Sequence, residues 1–480
     1  MAKFKLNRTA SGVVWSAVER FSVQAIQFIM NVILARLIAP SDFGLIAMLN
    51  VFIVIAQTFV DSGFSNALIQ KKDKTESDYT TVFIFNVFVS ILAYLILFFA
   101  APIIASFYHE ESLCLLCRVV GLSLIIQGLS VIQIAKVSID LNFKALAKSS
   151  LVSVIISGLL GVSTAYLGYG VWALVIQILS NALLNTILLF ILVKWFPKDQ
   201  FSLTSLKTMF SFGSKLLVSG LLHTIYTNLY SLVIGRKYSS TDVGYYNQSN
   251  VIARFPSVSL MAVITRAIYP VQCELLDDDL ALRTSFYNYL TLSCFIVFPI
   301  MFFLTVSAEP LVAVVLTENW IPSVPYLQLL CIANVFNAVI ANNNQILKVK
   351  GRTDLYLQAE ILKKIVGVSI LVATIRYGLI YICLGIIIYN ILDMVIICLY
   401  TKITVSIGIW DQLKHIFPIL TTSVVAASIS IIMMSFITSY LFQIIIGGVT
   451  YLFVYVILSK FFKVKEYDLL TKLMSNILTR

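Results

Sequence analysis

The chain has 480 residues, of which 59% are hydrophobic and only 12% are charged. A soluble globular domain carries about 25% charged residues, so this composition excludes a soluble protein and indicates a polytopic membrane protein. The net charge of +11 does not indicate a nucleic-acid partner, because the basic residues are confined to particular loops.

Apolar runs of about 20 residues, the length that crosses a bilayer as a helix, recur along the chain. They predict an all-α fold with about fourteen transmembrane helices. The approximate spans are 12–38, 43–69, 80–107, 113–135, 149–167, 171–193, 208–235, 243–268, 284–307, 323–347, 360–376, 379–400, 414–436 and 440–460. The apolar run after Glu360 gives two helices only if it is divided at Arg376-Tyr377-Gly378.

The first predicted helix carries a polar stripe on an otherwise apolar surface. Its members are Ser16, Arg20, Gln24, Gln27 and Asn31. At about 100° per residue they fall within roughly 80° of arc, and Glu19 lies at the edge of that arc. In a membrane helix such a stripe should face a water-filled cavity or the interior of a helix bundle.

The turn that follows this helix recurs further along the chain. Arg36, Asp42 and Gly44 have the spacing of Arg236, Asp242 and Gly244. The helix before the second copy matches as well, with Gly220, Thr224, Thr227 and Ser231 standing where Arg20, Gln24, Gln27 and Asn31 stand in the first. Internal duplication is usual in membrane transporters, so Thr224 and Thr227 are predicted to line the same polar cavity.

The repeat predicts two lobes. Residues 1–195 form an N-lobe of helices 1–6, and residues 206–402 form a C-lobe of helices 7–12. A cytoplasmic linker at 196–205 joins them, helices 13 and 14 follow at 403–461, and residues 462–480 form a basic cytoplasmic tail. The tail has the pattern of an amphipathic helix on an anionic membrane surface, with a disordered basic tail as the alternative.

The positions of the basic residues predict the orientation. The loops are numbered by the predicted helix that precedes them. The odd-numbered loops contain only four basic residues, Arg36, Arg236, Lys237 and Arg376. Most other basic residues lie at the termini or in even-numbered loops, including Lys363, which is assigned to the loop before the eleventh helix. Cytoplasmic loops are enriched in Lys and Arg, so both termini should lie in the cytoplasm.

Charges inside a bilayer are costly, so each needs a physical reason. The candidates are Glu19, Arg20, Asp61, Lys215, Arg254 and Asp393. One interpretation is internal ion pairing that locks helices together. The other is a cationic cavity lined by Arg20, Lys215 and Arg254 that attracts an anionic substrate, with Glu19 and Asp61 available for coupling to a proton or Na⁺. No nucleotide-binding loop, metal motif or catalytic constellation stands out, so the sequence predicts no enzyme, cofactor or metal.

Three stretches of the first half carry a family resemblance. They are LARLIAPSDFGLIAM at Leu34–Met48, DSGFSNALIQ at Asp61–Gln70 and GVWALV at Gly170–Val175. They resemble the Wzx-type polysaccharide flippases, in particular the branch of colanic-acid exporters in the multidrug/oligosaccharidyl-lipid/polysaccharide exporter superfamily. The second half resembles this family mainly in topology and in Tyr245-Tyr246-Asn247.

The resemblance implies a two-lobed transporter of the bacterial plasma (inner) membrane. Such a protein would flip undecaprenyl-diphosphate-linked oligosaccharides, such as O-antigen, capsule or exopolysaccharide repeat units, to the outer leaflet by alternating access. Its partners would be the lipid-linked glycan and membrane lipids, with polysaccharide polymerase and chain-length machinery as further candidates, and no nucleic acid. The alternatives are a cation-coupled multidrug antiporter of the same superfamily and a membrane polysaccharide polymerase or ligase. The last would carry sizeable outer loops, whereas the longest one predicted here is Ala308–Pro322.

Overall fold

The computed structural model describes residues 21–61, 64–71, 73–140, 142–462, 464 and 466–467, without the side chains of residues 66, 211, 212, 215 and 216. Every regular element in these ranges is a helix. The all-α, polytopic fold class is therefore confirmed. The predicted amphipathic tail at 462–480 falls mostly outside the described residues.

The described helices follow one another with short connections. They are α1 (Phe21–Leu37, its described part), α2 (Pro40–Asp61), α3 (Phe64–Gln70), α4 (Glu76–Tyr108), α5 (Ser112–Ile139), α6 (Phe143–Tyr166), α7 (Val171–Val193), α8 (Leu203–Lys237), α9 (Ser240–Glu274), α10 (Asp279–Val306), α11 (Ala308–Val315), a 3₁₀ helix (Glu318–Ser323), α12 (Val324–Val335), α13 (Asn337–Val349), α14 (Thr353–Thr374), α15 (Leu379–Val405), α16 (Ile409–Ser435) and α17 (Tyr440–Phe461).

Each predicted span corresponds to a helix or to a pair of consecutive helices. Twelve segments of the described residues are long and apolar enough to cross a membrane. The count of fourteen stays a prediction, because α1 begins outside the described residues and α14 carries several charges. The outer loop predicted at Ala308–Pro322 is more ordered than expected, since it contains α11 and most of the 3₁₀ helix, with Trp320 fully buried.

Polar capping residues fix where several helices begin. The Thr75 side chain accepts a hydrogen bond from the Asp78 backbone N–H, and the Asp78 carboxylate accepts one from the Thr75 N–H, so α4 starts with a capping box. The same Asp78 carboxylate pairs with the Lys71 ammonium at 2.7 Å. At α10, Asp278 Oδ1 accepts from the N–H groups of Leu280 and Ala281. These side chains satisfy amide donors that a helix cannot satisfy itself.

The chain forms two compact units, residues 1–244 and 245–480. In the first, α2 packs against α4, α5 and α8, and α7 packs against α5 and α6. In the second, α10 packs against α12, α13 and α16, α15 packs against α12, α13 and α14, and α17 packs against α16. The boundary falls in the first turn of α9 because α8 packs on α2 and α4. The division into lobes at residues 196–205 remains a prediction from the repeat.

The predicted linker at 196–205 and Trp195, which directly precedes it, are docked on the first turns of α4. Trp195, which is 5% exposed, donates from Nε1 to Glu76 Oε2 at 3.0 Å. Further along, the Ser202 N–H donates to Thr81 Oγ1 at 2.9 Å, and the Ser202 side chain in turn caps α8. The linker therefore determines where α8 begins and ties it to α4.

We predict that Trp195→Ala lowers the free energy of unfolding by about 3–5 kcal/mol, because it leaves a cavity where a large side chain was buried. Trp195→Phe should cost only about 1 kcal/mol through loss of the hydrogen bond to Glu76. Unfolding of the detergent-solubilised protein measures both effects. The control is Trp410→Ala, since Trp410 is 74% exposed. Equal stability of the native protein and Trp195→Ala would contradict the docking of the linker.

Candidate functional site

A polar cavity of about 590 Å³ lies within the first unit, among α1, α2, α5, α6 and α7. Its polar lining consists of Gln27, Asn31, Gln57, Asp61, Gln127, Ser130, Ser157, Gln177, Asn181 and Asn185. Seven of these side chains are primary amides, which both donate and accept hydrogen bonds. The cavity therefore offers many neutral hydrogen-bonding groups inside segments that are otherwise apolar.

Helical spacing brings the amides of α7 to one side. Gln177, Asn181 and Asn185 are four residues apart and so lie one above the other on the same face. A close approach of α6 supports this face, because a Cβ on Gly161 would lie 3.0 Å from Gln177 Cβ. A methyl group here would make a contact tighter than usual, so glycine favours the close approach of the two helices at that position.

Only some of the donor and acceptor atoms of the cavity amides form hydrogen bonds with other described residues. Gln57 Nε2 donates to Asp61 Oδ1 at 3.0 Å, and Asn181 Nδ2 donates to Ser157 Oγ at 3.2 Å. Gln57 Oε1 and Asn185 Oδ1 are buried and find no hydrogen-bond donor among the described residues. A buried acceptor without a donor costs about 1–3 kcal/mol, so these two oxygens favour a ligand that carries hydroxyl or N–H groups.

Four buried amide side chains of the second unit form hydrogen bonds with one another, unlike the amides that line the cavity. Asn343 and Gln412 exchange two hydrogen bonds, Nδ2 to Oε1 at 2.8 Å and Nε2 to Oδ1 at 3.1 Å. Gln345 Nε2 donates to Gln272 Oε1 at 2.7 Å, and all four residues are buried. These amides bond to one another and hold helices together, whereas the buried oxygens of the cavity residues Gln57 and Asn185 have no donor in the described part of the chain.

The structure places the predicted site residues in different environments. Gln27, Asn31 and Asp61 line the cavity, and Gln24 is half-buried on α1. The two predicted lining residues of α8 have other contacts. Thr224 Oγ1 lies 3.1 Å from Thr58 Oγ1, and Thr227 Oγ1 donates to the His223 carbonyl oxygen at 3.0 Å.

The predicted cations are only partly described. Arg254 is an exposed residue of α9 in the second unit. Ser16, Glu19 and Arg20 lie outside the described residues, and so does the side chain of Lys215. Their assignment to a cationic cavity stays a prediction.

Sequence reasoning missed most of the cavity wall. Gln57, Gln127, Gln177, Asn181 and Asn185 were not among the predicted lining residues. The stripe on α7 could have been found by the spacing test that singled out Gln27 on α1, since its three amides follow the same helical period.

Comparison with known proteins assigns the family. Residues 33–325 match the family described as "Polysaccharide biosynthesis protein", which covers more than half of the chain. The chain belongs to this family.

Relatives extend the family match over most of the sequence. The chain is 26% identical over 351 residues to the teichuronic acid biosynthesis protein TuaB of Bacillus subtilis, covering 72% of each protein. It is 26% identical over 398 residues to the lipopolysaccharide biosynthesis protein WzxC of Escherichia coli, covering 81% of this chain and 80% of WzxC. The structure is similar to the inward closed conformation of the lipid II flippase MurJ, with a TM-score of 0.74, 14% identity, and coverage of 93% of this chain and 99% of MurJ. At this identity the likeness to MurJ shows the fold.

This family member also buries a charge cluster between α14 and α15. Lys363, whose side chain is 3% exposed, lies 2.6 Å from Glu360 Oε1 and 3.1 Å from Asp393 Oδ1. The assignment of Lys363 to a loop was wrong, because the residue lies inside α14 with its ammonium held by two carboxylates. Asp393, a candidate intramembrane charge, is the partner of a lysine from the neighbouring helix.

We predict that Lys363→Met destabilises the protein more than Asp393→Asn does. Removing the lysine leaves two carboxylates without their cation and should cost about 3–5 kcal/mol. Removing the charge of Asp393 leaves Lys363 paired with Glu360, so the loss should be smaller. The double variant Lys363→Met/Asp393→Leu should recover part of the stability, because it removes one of the uncompensated charges.

Unfolding in detergent measures these differences. The control is Arg352→Ala, which breaks the exposed pair with Asp354 and should leave stability unchanged. A smaller loss for Lys363→Met than for Asp393→Asn would contradict this description of the cluster.

Proposed function

We propose that this protein is a lipid-linked oligosaccharide flippase. It moves undecaprenyl-diphosphate-linked repeat units from the inner to the outer leaflet of the bacterial plasma membrane by alternating access, with both termini in the cytoplasm. The observation that carries the proposal is the amide-lined cavity of the first unit, where two buried acceptors have no donor among the described residues.

The chemistry of the cavity fits sugars. Sugar hydroxyls both donate and accept hydrogen bonds, as do the side chains of Gln and Asn. The volume of about 590 Å³ lies within the ~300–1,000 Å³ range of small-molecule sites. Because the lining is dominated by neutral amides, a glycan can bind without being held by strong charge–charge attraction and can leave again.

The relatives support the same class of substrate. The family is described by polysaccharide biosynthesis, WzxC by lipopolysaccharide biosynthesis, and MurJ as a lipid II flippase. The proposal extends these descriptions to this chain, with membrane lipids as neighbours. Polysaccharide polymerase and chain-length machinery are its proposed downstream partners.

The charged part of the substrate needs separate contacts. We assign the diphosphate to Arg20, Lys215 and Arg254, because a cation in a low-dielectric region attracts an anion far more strongly than in water. Asp61, which lines the cavity, and Glu19 are assigned to coupling with a proton or Na⁺. Export by Arg20→Ala, Lys215→Ala and Arg254→Ala tests the first assignment, and normal export by all three at normal protein level would remove it.

Deletion of the gene tests the function itself. The lipid-linked repeat units should accumulate on the cytoplasmic face of the membrane and disappear from that face when the protein is restored. Precursors that reach the outer face but are not polymerised would indicate a polymerase or ligase. Unaltered flipping together with sensitivity to organic cations would indicate a drug antiporter, and either outcome would overturn the proposal.

We predict that Asn185→Leu and Gln57→Met each lower export several-fold. Each substitution removes one open acceptor, and a hydrogen bond worth about 1 kcal/mol corresponds to about a fivefold change in affinity. Export is measured as the rate at which the variant restores glycan to the cell surface in the deletion strain, normalised to the amount of membrane-inserted protein.

The matched control is Asn334→Leu. Asn334 is also an amide on a helix, but its Nδ2 donates to the Leu330 carbonyl oxygen within α12, and the residue does not line the cavity. If Asn185→Leu and Gln57→Met export as fast as this control, the cavity does not bind the substrate.

A further inference from the structure

A further polar cavity, of about 360 Å³, lies in the second unit between α10 and α16. Its wall includes the side chains of Thr284, Tyr287, Asn288, Lys414, His415 and Glu466. Thr284 and Lys414 are the first residues of two predicted membrane spans, and the charge pattern places the loops before both spans in the cytoplasm. The cavity therefore lies where the hydrocarbon core of the bilayer meets the cytoplasmic headgroups.

This cavity is bordered by two opposite charges that the protein does not pair. Lys414 and Glu466 line the same space, yet neither forms an ion pair of 4.0 Å or less with any residue that the structure describes. His415 is held in place between them, because its Nδ1 donates to the Asp411 carbonyl oxygen at 2.7 Å and its ring stacks on Tyr287 with centroids 4.2 Å apart. A ligand that carries both a cation and an anion would pair with both charges.

The backbone of α16 adds a hydrogen-bond acceptor. Pro418 lies inside this helix and has no N–H group, so it cannot donate to the carbonyl oxygen of Lys414 four residues earlier. In α10 the equivalent carbonyl, that of Phe295 before Pro299, accepts from the Tyr455 hydroxyl at 3.0 Å. Beside Pro418 there is the cavity instead, since Lys414 and Pro418 both line it. An N–H group of a ligand would supply the donor that proline lacks.

A larger cavity, of about 730 Å³ and with a mostly apolar wall, adjoins the polar one. The two cavities share Thr284, Asn288 and Glu466, and the wall of the larger one also includes Leu280, Ala281 and Leu292. Ser285, on the same wall, has a buried Oγ without a hydrogen-bond partner in the described ranges. A polar space that continues into an apolar one fits an amphipathic ligand whose ester oxygen accepts from Ser285.

We propose that the two cavities bind a phospholipid of the cytoplasmic leaflet with a primary-amine headgroup, of the phosphatidylethanolamine class. Its ammonium donates to the Glu466 carboxylate and to the Lys414 carbonyl oxygen, and its phosphate pairs with the Lys414 ammonium. The glycerol esters reach Ser285, and the acyl chains lie along the apolar wall. This lipid site depends on the predicted orientation but not on the proposed function, because it takes part in no step of export.

Binding of three phospholipids with identical acyl chains to the purified full-length protein tests this site. Phosphatidylethanolamine has N–H donors, phosphatidylcholine has methyl groups in their place, and phosphatidylglycerol has no ammonium. We expect phosphatidylethanolamine to bind at least about tenfold more tightly than either of the others, because only it can donate to Glu466 and to the freed carbonyl. Native mass spectrometry of the delipidated protein measures the apparent dissociation constants. Equal binding of all three lipids would overturn the proposal.

Substitutions assign the preference to this cavity. Glu466→Gln keeps the size of the side chain but removes its charge, so the preference for phosphatidylethanolamine over phosphatidylcholine should fall several-fold. Lys414→Met should weaken the binding of all three lipids, since each carries a phosphate. The matched control is Glu309→Gln, because Glu309 is an exposed carboxylate on α11 that lines neither cavity. An unchanged preference in Glu466→Gln at normal membrane insertion would overturn the site.

Two competitors separate the phospholipid from other ligands. Phosphoethanolamine has the headgroup without acyl chains, and undecaprenyl diphosphate has an apolar chain without the amine. Neither should displace phosphatidylethanolamine at equal concentration. Displacement by phosphoethanolamine would indicate a soluble ligand, displacement by undecaprenyl diphosphate would indicate a site for the carrier lipid, and either result would overturn the proposal.

A bulky substitution applies if Glu466→Gln fails to insert. Thr284 is exposed and lines both cavities, so Thr284→Trp should fill the space that they share. Phosphatidylethanolamine should then bind at least about tenfold more weakly, and unchanged binding would overturn the site. These measurements involve no export, so their outcome is independent of the deletion experiment.

Discussion

The structure depends on one constraint: a polar group inside a membrane-spanning helix needs either a partner in the protein or a cavity to face. This protein uses both solutions. In the second unit Asn343 and Gln412 satisfy each other, and Lys363 is held by Glu360 and Asp393. In the first unit the same kinds of side chain surround a cavity, and the buried side-chain oxygens of Gln57 and Asn185 have no hydrogen-bond donor among the residues that the structure describes. The paired amides hold helices together, whereas the amides of the first unit surround a cavity.

Hydrogen bonds between polar groups also attach α8 to the first unit. Trp195 and the linker residue Ser202 both bond to α4, so α8 starts at a fixed place. At the other end, Arg236 Nη1 donates to the Phe107 carbonyl oxygen at 2.6 Å, where α4 ends. Between these points α8 contacts α2 through Thr224 and Thr58. Hydrogen bonds at both ends and in the middle thus tie α8 to the unit that contains the cavity.

A glycan carrier must bind its substrate weakly enough to release it on the other side of the membrane. Amides suit this requirement, because each hydrogen bond to a sugar replaces one to water and the net gain is small. A buried charge would bind more strongly but would also slow release, since separating it from its partner leaves both desolvated. In this protein the buried charges of Lys363 and Asp393 are paired with each other, and the cavity is lined mostly by neutral groups.

The sequence by itself determined the fold class, the approximate positions of most helices and the face of α1 on which Gln27 and Asn31 lie. Helical spacing is a local property, so the positions of α7, Gln27 and Asn31 followed from it. Only the tertiary structure decided which helices face one another. It showed that Lys363 lies inside α14 beside Asp393, that α7 supplies three amides to the cavity, and that Gly44 and Gly244 touch. The repeat identified both glycines as equivalent, but their contact depends on packing between helices far apart in the chain, which spacing along one helix does not contain.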